Sequence, residues 1–243
     1  MKKIILFFVL IVSYFYSFAQ EKDNSNAEEK NIIKLDLPGY IKLNFGLNTL
    51  LDADESMKMG VISSRSAGLN YMKPIFLFNN FSFNPSLGIS FENYSFKNNV
   101  IINYRYDIDD NQINYIDTLT IDSKNNKLVS SFIELPLEVR YYFGSGDFDD
   151  SRFFIGIGTD LGLRINSFTK LKHIKNNKSI VNKSKNDFGL TKFRYSASIT
   201  IGRGNFNFYF KYFISDFFKT GKTPEFISTQ PLLLKTGISF SLF

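Results

Sequence analysis

The sequence predicts an all-β fold, an eight-stranded antiparallel up-and-down β-barrel that crosses a membrane with its strands. Three observations carry this expectation. From Tyr40 to Phe243 the chain repeats segments of ten or more residues that alternate apolar and polar, the period of a strand with two unlike faces. One face of each segment is apolar and nearly uncharged, while the other collects Gly, Ser, Asn, Glu, Arg and Lys. A soluble ligand-binding barrel keeps its apolar face inside, so here that face is expected to meet lipid. The connectors alternate short and long, as the turns and loops of outer-membrane barrels do.

Residues 1–19 begin with Lys2 and Lys3, continue in an apolar run from Ile4 to Tyr16, and end with Ser17 and Ala19 three and one residues before a cleavage point at Gln20. That pattern is a secretory signal peptide, too short to be a membrane anchor. Residues 20–39 are polar and charged and are expected to form a periplasmic lead-in; residues 40–243 form the barrel domain.

The expected strands are Tyr40–Leu51, Arg65–Leu77, Phe81–Lys97, Leu128–Phe143, Arg152–Phe168, Leu190–Ile201, Asn205–Ile214 and Leu232–Phe243. Phe81 to Glu92 is the clearest. Phe81, Phe83, Pro85, Leu87, Ile89 and Phe91 share one face, and Ser82, Asn84, Ser86, Gly88, Ser90 and Glu92 the other. Phe78 to Asn80, Gly202 to Gly204 and the Gly/Asp-rich Gly144 to Ser151 read as short turns at the periplasmic end. Asp52 to Ser64, Asn98 to Lys127, Thr169 to Gly189 and Ser215 to Pro231 are longer and polar, as external loops are. An epitope near Asn126 or Asn177 is therefore expected to be reachable from outside, and one at Asn79 not.

Composition narrows the function classes. The +6 formal charge falls to +4 without Lys2 and Lys3, too small an excess to imply nucleic acid. No downstream segment is apolar over the length that a membrane helix needs. The chain has no Cys, and with no Trp any interfacial aromatic girdle must come from Phe 28 and Tyr 13. A soluble sandwich would not segregate its loop lengths so regularly, and a lipocalin-like cup would have to bury Glu134, Arg140, Asp160 and Arg194 among apolar groups.

Few residues point to chemistry. His173, the one histidine, sits in the Lys-rich stretch LKHIKNNK without a Ser/His/Asp set around it, and is expected to be a solvated loop residue. Asp107, Asp109, Asp110 and Asn111 crowd oxygen ligands, but Gln112 stands where a calcium loop needs Gly and Thr118 where it needs Glu, so a solvated acidic tip is expected. Lys170, Lys172, Lys175, Lys178, Lys183 and Lys185 are read as a solvated charged loop rather than a headgroup or polysaccharide site. The glycines near Gly144 and Gly202 make turns, not phosphate loops, since no helix follows them. No catalytic residue, cofactor or metal is expected. On the inward face, strand counting brings Glu92, Glu134 and Asp160 to middle heights opposite Lys192, Arg194, Lys211 and Lys235, a network expected to fill the lumen.

The stretches SFAQ at Ser17 to Gln20, PSLGISFENYSF at Pro85 to Phe96, FIELPLEVRYYF at Phe132 to Phe143 and LKTGISFSLF at Leu234 to Phe243 together resemble the outer-membrane β-barrel domain family of Bacteroidetes, which includes PorT-type proteins of type IX secretion. Phe243 is preceded in its own register by Ser241, Ser239 and Gly237, whereas Leu242, Phe240 and Ile238 carry the apolar register. The resemblance implies an eight-stranded barrel with long external loops in the cell outer membrane, not a particular reaction. The expected function is a non-enzymatic structural or binding role at the cell surface, with an accessory role in secretion allowed by the resemblance. The alternative is a transporter of small or hydrophobic compounds. Expected partners are outer-membrane lipid, the barrel-assembly machinery during insertion, and a secretion or surface partner met through the long loops.

Overall fold

In a computed structural model the described residues are 39–78, 80–119, 123–144, 152–175, 178–227 and 229–242. The segments expected to be a signal peptide and lead-in, up to residue 38, together with Asn79, the stretch 145–151, Asn177 and Phe243, lie outside them.

The strands are β1 (Tyr40–Leu51), β2 (Arg65–Met72), β3 (Ile75–Phe76), β4 (Phe81–Ser95), β5 (Val100–Tyr106), β6 (Gln112–Thr118), β7 (Ser123–Tyr142), β8 (Phe153–Lys175), β9 (Lys178–Lys185), β10 (Phe193–Arg203), β11 (Phe206–Phe213) and β12 (Leu232–Leu242). Every pairing is antiparallel. Pairing runs from β1 through β2, β4, β7, β8, β10 and β11 to β12, and β12 pairs in turn with β1, with Phe45 opposite Ile238 and Gly46 opposite Gly237. This is an up-and-down, outer-membrane β-barrel-like fold in which chain neighbours are sheet neighbours.

Alternation decides which face is which. In β10 the exposed and buried residues alternate without a break: Phe193, Tyr195, Ile199 and Ile201 are exposed while Arg194, Ser196, Ser198 and Thr200 are buried. A protein that hides its serines and shows its isoleucines has lipid as its outer solvent. At the short-turn end the outer face carries rings in contact, Phe81 against Tyr141 with centroids 5.1 Å apart and Phe206 against Phe240 at 5.2 Å, as an interfacial aromatic girdle does. Gly204, at φ 55°, closes the turn between Arg203 and Phe206; a left-handed first position is what a two-residue hairpin turn demands.

Several sequence expectations change here. The second strand stops at Met72, because Pro74 cannot donate to the ladder, and only the short β3 follows. The sixth begins at Phe193; Leu190 makes an isolated bridge with Phe218 instead. The long connectors are not open polar loops. One holds the β5–β6 hairpin, and β8 runs on past Phe168 to pair with β9 through the Lys-rich stretch. Asn126 is buried, its amide donating to Asn98 O at 2.6 Å and Val100 O at 2.5 Å, so it is a poor place to display an epitope.

Candidate functional site: a buried charge cluster beneath folded loops

Strand parity sends Glu92 of β4, Glu134 of β7, Arg194 of β10 and Lys235 of β12 to the interior, where each is at most 5% exposed. The guanidinium of Arg194 donates to both carboxylate oxygens of Glu92, at 2.7 and 2.6 Å, and to Glu134 Oε1 at 2.7 Å. Lys235 Nζ donates to Glu92 and lies 3.7 Å from Glu134. The Tyr94 hydroxyl also donates to Glu92. Phe132 and Phe213 flank the guanidinium, their ring centroids 3.4 and 4.6 Å from its central carbon. Gly162 leaves it room, for a Cβ there would stand 3.0 Å from the Arg194 side chain and push it aside slightly. Two acids against two bases, each hydrogen-bonded, is a form in which buried charge is tolerable; any one of them alone would not be.

Nearer the short-turn end, Lys211 pairs with Asp160. Glu138 is held by Arg140, by the Thr200 hydroxyl at 3.0 Å and by Lys42 at 4.0 Å. Arg140 also lies over the Phe154 ring at 4.3 Å. Six of the residues singled out from the sequence therefore stand in two buried groups, with Glu92, Glu134, Arg194 and Lys235 in one and Asp160 with Lys211 in the other. Lys192 does not join them. It is exposed and precedes β10, where strand parity no longer applies, and its carbonyl accepts from the Arg164 N–H at 2.8 Å. Sequence reasoning missed Lys42, Tyr94, Glu138 and Arg140 as members. The signal was present, since Glu138 and Arg140 share the parity of Glu134 on β7 and Tyr94 that of Glu92 on β4.

Other candidates resolve differently. His173 is buried in β8, 5% exposed, rather than solvated, because the connector that holds it folds as a hairpin. Asp107 turns inward on its own loop, Oδ1 accepting from the N–H groups of Asn111 at 2.8 Å and Asp109 at 2.9 Å. Those bonds hold its carboxyl below the usual range, the Asn111 N–H contributing most. Among the described residues no group of acids and histidine is placed to hold a metal ion.

Above the Arg194 node the connectors condense. Met57 and Met59 from the first, Phe96 and Ile102 from the second, Phe188 from the third and Phe217 and Phe218 from the fourth form one apolar cluster with Tyr94, Leu128 and Phe213. Polar bonds tie their outer side. Arg105 Nη2 meets both oxygens of Glu225 at 3.0 Å, Asn114 Nδ2 donates to Lys222 O at 3.0 Å, and Lys219 Nζ donates to Asp187 at 2.6 Å. Partial burial opposes the charge on Asp187, yet Lys219, the Gly189 N–H and nearby Arg164 hold its carboxyl below its ordinary range. In the same turn Pro224 is fully buried while Phe226, at φ 68°, is 99% exposed.

Over residues 18–218 the sequence matches the family described as outer membrane protein beta-barrel domain. No curated protein matches it. Among solved structures, Ail, the attachment invasion locus protein of Yersinia pestis, is 11% identical, with 84% of this chain and 97% of that chain covered and a TM-score of 0.33. A second structure of Ail, in complex with the heparin analogue sucrose octasulfate, gives 11% identity, coverage of 85% and 100%, and a TM-score of 0.31. A mutant Rh. blastica porin gives 9% identity, coverage of 84% and 99%, and a TM-score of 0.22. The greasy outer face, the polar interior and a family match over most of the chain have one meaning: this is an outer-membrane protein, and it belongs to the outer membrane protein beta-barrel domain family.

Proposed function

We propose that the protein is a closed, eight-stranded barrel that passes no solute, and that it acts as a structural or binding protein of the cell surface through its folded loops. The observation that carries this is the Arg194 node lying directly under the apolar loop cluster. A paired-charge cluster blocks ions only if its partners are saturated, and an apolar cluster excludes the water that would loosen them. A barrel of this strand number has an interior just wide enough for its own side chains. No reaction is proposed. An accessory role in secretion, near the PorT-type proteins, belongs to the same reading, for it asks for a rigid surface rather than a pore.

Phe226 is the anchor we assign to that surface. A fully exposed Phe in a left-handed conformation is strained, and its neighbours Pro224 and Glu225 are pinned. A photo-crosslinking residue at Phe226, expressed in intact cells, is expected to give a discrete adduct that is lost when Arg105→Gln releases the turn. Absence of any adduct, together with solute uptake by vesicles carrying the protein, would transfer the reading to transport.

A further inference from the structure

We propose that the outer face of β2, β1, β12 and β11 holds a binding groove for a phosphorylated acyl lipid of the outer leaflet, with the acyl chain on Phe45, Phe208 and Ile238 and the phosphate on Arg65. The inference needs only that this face meets lipid, and stands whether or not the lumen is closed.

The groove measures about 520 Å³ and is bounded by those residues with Leu47, Arg65 and Thr236. Its shape follows from the register. Two outward rows cross the four strands, Phe210, Thr236, Leu47 and Arg65 in one and Phe208, Ile238, Phe45 and Ala67 in the other. Thr236 and Ala67 are the short members, and between the rows the wall is the paired backbone of Gly46 and Gly237. The hollow is therefore a property of the wall itself, of a size that bound ligands use.

Arg65 gives the hollow a chemistry. Among the described residues it is the only charged side chain on the outer face of these four strands. It opens β2 with Asn93 beside it on β4, while on its other side Thr49 and Leu51 of β1 and Leu234 and Leu232 of β12 continue the same face beyond its level toward the loops. A guanidinium on the lipid face is unfavourable unless it reaches water or an anion. Its Nε is fixed on Ile62 O at 2.7 Å, and no carboxylate of the described residues forms an ion pair with it. A fixed, unpaired guanidinium opening on an apolar trough matches a phosphate joined to a hydrocarbon chain.

The test uses the full chain in phosphatidylcholine nanodiscs containing a low fraction of lipid A or its dephosphorylated form, with retained lipid counted by native mass spectrometry. Lipid A is expected to stay bound while the dephosphorylated form washes out. Arg65→Gln should weaken retention about tenfold or more, the value of a lost charge-assisted hydrogen bond. Thr236→Phe, which fills the hollow, should release the lipid with Arg65 intact. Equal retention of the two lipids by the unaltered protein overturns the proposal without relying on any variant. So does unchanged binding by Arg65→Gln with a native circular dichroism spectrum, or displacement of lipid A by millimolar inorganic phosphate, which would mark a plain anion site.

Discussion

Arg194 is where the interior is decided. It alone meets Glu92 twice and Glu134 once, so its removal leaves two buried carboxylates with Lys235 as their remaining cation and the Tyr94 hydroxyl on Glu92. Arg194→Met is expected to destabilise the folded protein by about 3 to 5 kcal/mol, the usual loss when one partner of a buried ion pair is removed. The measurement is a urea titration in lipid vesicles followed by circular dichroism, and a loss below about 1 kcal/mol would show that water already solvates these charges separately. A double-mutant cycle with Glu134→Gln should give a coupling of about 1 kcal/mol or more. Inward parity was legible in the sequence, whereas the height was expected in the middle and Arg194 stands as the second residue of β10, toward the loops. What the sequence could not show was partnership. The bidentate grip on Glu92 depends on how strands far apart in the chain are staggered, and the ring contacts of Phe132 and Phe213 depend on that same stagger.

At the scale of elements, the strands that cross lipid were readable because their two faces meet unlike solvents. β1 and the start of β4 stand where the alternation puts them. The connectors were not readable in the same way. VIINYRY and QINYIDT pair with each other, and their burial does not alternate, Val100, Ile101 and Ile102 being buried in succession, so their apolar residues look like scatter in a polar stretch. Ile89 and Leu135 are each 39% exposed on the outer face; replacing either by Arg should cost about 2 to 4 kcal/mol near the bilayer midplane. From sequence alone Ser90→Arg should be milder, as a lumen substitution. With Ser90 only 3% exposed on the inward face, it should instead be as damaging as Ile89→Arg if the proposed filling of the lumen holds. A vesicle unfolding titration that finds it harmless would mean the interior is hollow. The loop clamp has a pH signature. Because the Asp187 carboxyl is held below its ordinary value, its contribution is complete above the unfolded value of ~3.9 and fades as pH falls through the lower folded one. Amide exchange around Gly189 and Lys219 should therefore be steady from neutral pH down to ~3.9 and quicken below it once intrinsic rates are allowed for, and Asp187→Asn should remove that step.

For the whole molecule, the arrangement is a soluble protein turned inside out, with one addition. Four connectors bring their own apolar cluster over the loop end of its polar core, and the proposed closed lumen rests on that cover. The lipid address and the strand plan were written in the alternation from Tyr40 onward. The cover was not, because Met57, Phe96, Phe188 and Phe218 come from separate connectors that meet only after the strands have paired. The proposed sealing would thus be a property of the assembled loops, and it would separate a surface protein from a pore. Single-channel recording in planar bilayers tests it most directly. The unaltered protein is expected to insert without conductance at neutral pH, and Arg194→Ala combined with Phe218→Ala is expected to open ion-sized steps. A steady conductance from the unaltered protein would contradict the closed lumen.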